Sequence, residues 1–203
     1  MFGLITQRQT VNQYGGQCDQ LEKEYITFFE NLGLQLIPVS NFQTPSLDNV
    51  NIIIFTGGGN INQEQPERDK LEKFLFENAV NKNIPIIGIC RGMQYINILM
   101  GGNLSKNAKL EEQRPNRIDH DIKFKNKIIK VNNYHNDVIF VSDLADELNI
   151  LAKDEENNSV EAFYTKGILG VQWHPERIFE DKKSEEYSTN LVKEFIKNNG
   201  EIQ

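Results

Sequence analysis

The sequence predicts an α/β fold: a mostly parallel sheet flanked by helices, with a small antiparallel side sheet. Two observations carry this. Over the first hundred residues, short apolar, β-branched runs alternate with longer stretches whose apolar residues recur at helical spacing, the signature of βαβ units. After about Leu104, short strands follow one another without long helices between them, which is hairpin-like and antiparallel. The 203 residues fit a single domain spanning 1–203. A chain of this length buries roughly 70% of its unfolded surface, so it folds without disulfides or a structural metal.

The elements follow in order. Phe2-Gly3-Leu4-Ile5-Thr6 reads as a strand. Leu21, Tyr25, Phe28 and Leu32 recur at helical spacing, with Gly33 as the stop. Leu34 to Pro38 is a second strand, and Asn51 to Phe55 a third whose continuous apolar character suits burial on both faces. A helix runs from Pro66, an allowed first-turn position, to Asn81. Ile84 to Ile89 is a fourth strand that leads into Cys90 and a helix through Met100. The later strands are Ile128 to Val131, Val138 to Val141, Val160 to Phe163 and Ile168 to Val171, and a last helix covers Ser184 to Lys197.

Composition excludes several classes of function. The net charge of -7 argues against nucleic acid and against anionic membrane surfaces as partners. No apolar run approaches the roughly 18 residues of a membrane span. The first residues lack the basic and apolar segments of a secretory signal, so a reducing, cytoplasmic location is expected. The two cysteines, Cys18 and Cys90, are far apart and form no disulfide framework.

Gly88-Ile89-Cys90-Arg91-Gly92 has the form of a nucleophile elbow, with Cys at its centre. A sharp strand-to-helix turn forces the nucleophile's backbone into a strained region, and the two glycines let strand and helix approach. The helix N-terminus favours a thiolate, and the backbone N–H of Arg91 faces the same spot as an oxyanion donor. The competing interpretation is a buried Cys acting as a small hydrophobe.

Gly170-Val171-Gln172-Trp173-His174-Pro175-Glu176 closes a later strand. Residues two apart in an extended segment point the same way, so Glu176 can hold His174 in one tautomer, as a Cys–His pair requires. A plain surface turn is the alternative. Thr56-Gly57-Gly58-Gly59-Asn60 follows an apolar strand and allows positive φ. It supplies a second oxyanion donor or is only a tight turn; neither phosphate-loop spacing is present. Asn132 to Asp137 and Arg114 to His120 are polar loops, the latter locally basic, and both are also consistent with solvated surface. Arg8 and Tyr14 follow the first strand at the sheet's carboxyl edge. Cys18, before a helix, and His120 and His135, as lone histidines, are expected to be structural, the two imidazoles hydrogen-bonded. No Cys/His spacing forms a metal motif, so no metal is assigned.

These segments resemble the class I glutamine amidotransferase superfamily over nearly the whole chain. Gly88 to Gln94 resembles its nucleophile motif, Gly170 to Glu176 its His/Glu motif, Thr56 to Gly59 its oxyanion loop, and Gly101 to Leu104 the usual sequel to the elbow helix. The resemblance implies a flavodoxin-like fold and a Cys90–His174–Glu176 triad. It implies oxyanion donors at Gly58 and Arg91, with Gly57 and Gly59 beside them as substrate-binding positions. It also implies glutamyl contacts from Gln94 and from the loop Tyr134, His135, Asn136 and Asp137. Arg91 departs from the ammonia-channelling members, which usually carry Leu there. With the Tyr-His pair it is more similar to the γ-glutamyl hydrolase branch, peptidase C26-like; Asn136 stands where that branch usually has a second histidine.

The implied reaction is hydrolysis of a γ-glutamyl amide through a γ-glutamyl thioester, releasing L-glutamate, with no cofactor. The substrate is a small molecule; if its leaving group is nucleotide-linked, Arg8, Arg114 and Arg117 are the expected phosphate contacts. Three rivals stand beside it: a γ-glutamyl-γ-aminobutyrate-type hydrolase, a glutaminase subunit feeding ammonia to a synthetase partner, and a non-catalytic module on the same fold.

Overall fold

The computed structural model describes residues 1–106 and 119–202. Its centre is a nine-stranded sheet. The parallel half comprises β4 (Gln35–Val39), β1 (Phe2–Thr6), β5 (Ile52–Phe55), β6 (Ile86–Ile89) and β13 (Ile168–Val171), in that spatial order. The antiparallel half continues it through β12 (Val160–Thr165), β11 (Asn149–Asp154), β8 (His120–Phe124) and β9 (Lys127–Val131). Two short pairs lie outside this sheet: β2 (Arg8–Val11) with β3 (Gln17–Gln20), and β7 (Ser105–Lys106) with β10 (Asp137–Val138). The expected antiparallel component is therefore present, and most of it extends the main sheet.

Alternation along β5 shows why helices cover both faces. Ile52 and Ile54 pack with Tyr25 and Phe29 of α1 (Lys23–Asn31) and Leu191 and Phe195 of α4 (Lys182–Lys197). Ile53 and Phe55 pack with Leu71 and Leu75 of α2 (Pro66–Lys82) and Met93 and Ile96 of α3 (Arg91–Leu99). Successive side chains of a strand point to opposite faces, so an unbroken apolar strand needs two cores. Each such side chain contributes roughly 1.5–3 kcal/mol on burial.

Helix limits follow the expected stops. Gly33, with φ of 81°, takes the left-handed conformation after α1, and Asp181 caps α4 by accepting from Lys183 N and Ser184 N. The expected strand at Val138 to Val141 is not formed as such: Val138 pairs with Ser105, Phe140 makes a lone bridge to Ser159, and Val141–Asp143 turns into a 3₁₀ helix. The Asp143 carbonyl, accepting from Asn103 N and Asn97 Nδ2, ties this segment to the end of α3 instead. Cys18 lies in β3 opposite Thr10, just ahead of α1 as expected, and Tyr14 is exposed at the tip of that hairpin. Among the described residues, no helix is long and apolar enough to cross a membrane.

Candidate active site

β6 and β13 are adjacent and parallel, with Gly88 opposite Gly170 and Ile89 opposite Val171. The pairing persists one step further, where Cys90 N donates to Val171 O at 2.8 Å. The two strands thus leave the sheet together at its carboxyl edge. Cys90 opens α3, and His174 follows three residues after β13 ends. Residues 84 positions apart in sequence become neighbours because their strands share a register.

Cys90 has φ of 53° and ψ of -109°, a conformation that costs energy for any residue with a Cβ. The turn is possible because Gly88 and Gly92 carry none. A Cβ on Gly92 would sit 2.2 Å from the Phe55 carbonyl oxygen, and one on Gly88 2.7 Å from the Gly92 backbone. His174 lies beside Cys90 on one side, and its Nδ1 donates to Glu176 Oε1 at 2.6 Å on the other. Burial alone would push this imidazole down. The Glu176 carboxylate, then Cys90, outweigh it and raise the pKa to about 10, which holds the ring as an imidazolium. Asn132 fixes the backbone beneath: its Nδ2 donates to His174 O and its Oδ1 accepts from His174 N, both at 2.9 Å.

Gly57 differs from its expected role. Its N–H donates to Tyr25 Oη at 2.9 Å, and it does not line the pocket. It lies behind the reacting pair, where a Cβ would stand 2.7 Å from His174 Cε1 and 3.3 Å from Cys90 Cβ. Gly57→Ala is therefore expected to displace the imidazole and lower kcat by about 100-fold at nearly unchanged fold, measured by steady-state kinetics and circular dichroism.

Gly58 and Gly59, at φ of 85° and 81°, do face the pocket. Their conformation is set from below. The Arg68 guanidinium donates to three consecutive carbonyls: Thr56 at 2.6 Å, Gly57 at 3.3 Å and Gly58 at 2.8 Å. Arg68 also bonds Glu72 Oε1 at 2.9 Å, and Arg91 reaches both Asp69 and Glu72. Burial pulls the Arg68 pKa down to about 10. Burial also raises the Glu72 carboxyl, but Arg68 and Arg91 overcome this and leave it below the usual range. The Arg91 side chain is thus committed to the interior, leaving its backbone N–H, in the first turn of α3 where intrahelical acceptors are lacking, to face the pocket.

The pocket above Cys90 has a volume of about 530 Å³. Gln94, Tyr134, His135, Asn136 and Asp137 line it as the resemblance implied. Gln94 Nε2 donates to Asp137 O at 3.1 Å, linking the elbow helix to that loop. Arg8 is also in the wall, packed over Gly58 and paired with Glu22 at 3.3 Å. Arg114 and Arg117 lie outside the described residues. Arg177 belongs to the wall too, stacked 4.2 Å from the Tyr134 ring centroid and paired with Glu22 at 2.8 Å.

Sequence reasoning passed over Arg177, Asn132, Tyr25 and the Arg68–Asp69–Glu72 group. Only the last had a visible signal: three charged residues at core-facing positions of a helix, with Arg68 and Glu72 in i, i+4 spacing.

The chemistry this arrangement permits is acyl transfer: Cys90 beside an imidazolium oriented by a carboxylate, in a pocket that Gly58, Gly59 and Arg91 also line. Similarity to known proteins agrees with that class. The Peptidase C26 family profile matches residues 3–176. The chain is 30% identical over 234 residues to the glutamine amidotransferase-like protein YvdE of Lactococcus lactis, covering 94% of this chain and 98% of that one. It is 32% identical over 138 residues to the γ-glutamyl-CDP-amidate hydrolase of Campylobacter jejuni, covering 63% of each. A glutamine amidotransferase from Thermotoga maritima has the same fold, with a TM-score of 0.72 at 15% identity, over 99% of this chain and 98% of that one. The protein belongs to the Peptidase C26 family, among the hydrolases of amide bonds. Within that family it is a glutamine amidotransferase-like member.

Proposed function

We propose that the protein is a cysteine hydrolase that cleaves a γ-glutamyl amide, with Cys90 as nucleophile, His174 as acid and base, and Glu176 as the group that orients His174. The observation that carries this is Cys90 beside a His174 that Glu176 holds by a hydrogen bond, all beneath a polar pocket. The Cys90 thiolate attacks the γ-carbonyl carbon, forming the S–C bond. The oxyanion is held by the N–H groups of Gly58 and Arg91, each contributing about 3 kcal/mol of barrier lowering. His174 delivers its proton to the departing nitrogen as the C–N bond breaks, leaving a γ-glutamyl thioester. His174 then takes a proton from water, which attacks the thioester; the C–S bond breaks, and glutamate and the thiolate are released.

The leaving group we favour is a cytidine diphosphoramidate, as in γ-glutamyl-CDP-amidate, a step of capsule phosphoramidate biosynthesis. The support is the relative named above and a pocket wall carrying Arg8 and Arg177, whose guanidinium forks match phosphate oxygens. Each spends one contact on Glu22 and keeps further N–H donors.

The test is glutamate release by the isolated protein from γ-glutamyl-CDP-amidate, glutamine, γ-glutamyl-γ-aminobutyrate and a γ-glutamyl anilide. Preference for the nucleotide substrate by at least tenfold in kcat/KM is expected. Arg8→Gln and Arg177→Gln should each raise KM for it about tenfold or more while sparing the anilide. Equal effects on both substrates sink the phosphate assignment. Weak activity that rises only when a synthetase is added would favour the glutaminase-subunit reading.

A further inference from the structure

We propose that the protein carries a second, non-catalytic site: a buried two-histidine, one-carboxylate centre for a zinc-class divalent cation, formed by His120, His135 and Glu161. Their ligand atoms all lie within 4.8 Å of one another. His120 Nε2 is 3.5 Å from Glu161 Oε2, and His135 Nε2 is 4.0 Å from Glu161 Oε1. Ligands at zinc–nitrogen and zinc–oxygen distances in a tetrahedral shell stand roughly 3.4 Å apart, so small side-chain adjustments close the set.

Three features distinguish this cluster from a packed polar group. The first is that its atoms lack partners. Among the described residues, His120 Nδ1 and Nε2, His135 Nε2 and Glu161 Oε2 are buried and make no hydrogen bond. That departs from the hydrogen-bonded structural role expected for His120, while His135 keeps one hydrogen bond. Such groups are costly when buried without a partner, and a cation would satisfy three of them at once.

The second is an outer shell that prepares the ligands. His135 Nδ1 bonds Asp137 O at 3.1 Å, which places the ring proton on Nδ1 and leaves Nε2 with a free lone pair. Ser159 Oγ donates to Glu161 Oε1 at 3.2 Å. Asp154, which is bonded into the turn after β11, places Oδ2 3.6 Å from His120 Nε2 as a neighbouring fourth oxygen.

The third is the backbone at Glu161. β11 and β12 pair Ala152 with Ala162 and Lys153 with Val160, so Glu161 is the extra residue of a β-bulge. Bulges re-aim a side chain, here one that is almost fully buried. Imidazole and carboxylate donors together suit zinc and its neighbours better than calcium or magnesium. The three residues come from β8, the β9–β10 loop and β12, which is why no sequence spacing betrays them. His135 belongs to the loop that lines the pocket, so an ion here would pin Tyr134–Asp137 to the sheet without touching Cys90.

The experiment is zinc titration of tag-free Cys90→Ala protein, where the nucleophilic thiol offers no ligand, against a chromophoric chelator. One equivalent with micromolar or tighter affinity is expected. Cobalt should produce the visible bands of a four-coordinate site. The melting temperature should rise by about 5–10 °C at zinc a hundredfold above Kd. His120→Ala and Glu161→Gln should each weaken uptake by at least roughly tenfold. If His120→Ala does not fold, His120→Gln carries the comparison. The proposal is overturned by uptake no tighter than the exposed surface provides, or by tight uptake that both substitutions leave unchanged.

Discussion

Cys90→Ala is expected to lower glutamate release by about 10⁴-fold or more while the melting temperature stays within a few degrees of wild type. The activity loss follows from removing the only group placed to form the S–C bond; loss of a nucleophile in a comparable triad leaves only binding and oxyanion stabilisation. The stability expectation has a separate cause. Alanine keeps the Cβ, so the strain of the left-handed backbone at this position is the same in both proteins. The substitution removes one sulfur at the edge of the core, where it borders a pocket. Steady-state assays and thermal unfolding on the same preparation check both halves. Activity within tenfold of wild type would remove Cys90 from the mechanism.

Glu72→Gln is expected to destabilise the fold by about 3–5 kcal/mol, because it leaves Arg68 and Arg91 buried with Asp69 as the only carboxylate between them. For a chain of this length that is a drop of about 6–20 °C in melting temperature. The ion group is not at the surface: Arg68 and Glu72 side chains are 0% exposed, so solvent does not screen the loss. A second consequence distinguishes this residue from an ordinary core position. Glu72 anchors Arg68, and Arg68 holds the carbonyls of Thr56, Gly57 and Gly58. At temperatures where the variant remains folded, kcat should fall more than KM rises, because in the proposed mechanism the Gly58 N–H acts mainly in the transition state. Urea unfolding with an unchanged midpoint would show that the ion group contributes nothing net.

The motifs at Gly88–Gly92 and His174–Glu176 were readable because each packs its requirement into a few adjacent residues. A turn that tolerates no Cβ on either side of Cys90 leaves glycines two positions away, and Glu176 sits two residues past His174, although in a turn closed by Arg177 N donating to His174 O and not in the extended segment expected. The α/β architecture was readable for the same local reason: apolar period and glycine stops mark strands and helices without reference to distant residues. Elements whose identity depends on a partner were not readable. The hairpin of β2 and β3 is built mostly from polar residues, β8 carries charges on one face, β11 ends on the charged pair Lys153 and Asp154, and the segment after Val138 bends because Asn97 and Asn103 seize Asp143 O.

Residue type and short-range spacing therefore determined the class of fold and pointed to Cys90, His174 and Glu176 as the residues of the proposed site. Only the folded chain decided which buried charges face one another. Arg91 reads only as a backbone N–H donor until its side chain is seen bound to Asp69 and Glu72, and His120 reads as an isolated histidine until β8, β12 and a loop bring Glu161 and His135 beside it. The physical reason is that hydrogen bonding and Coulomb attraction act over a few ångströms of space, whereas the sequence records only separation along the chain.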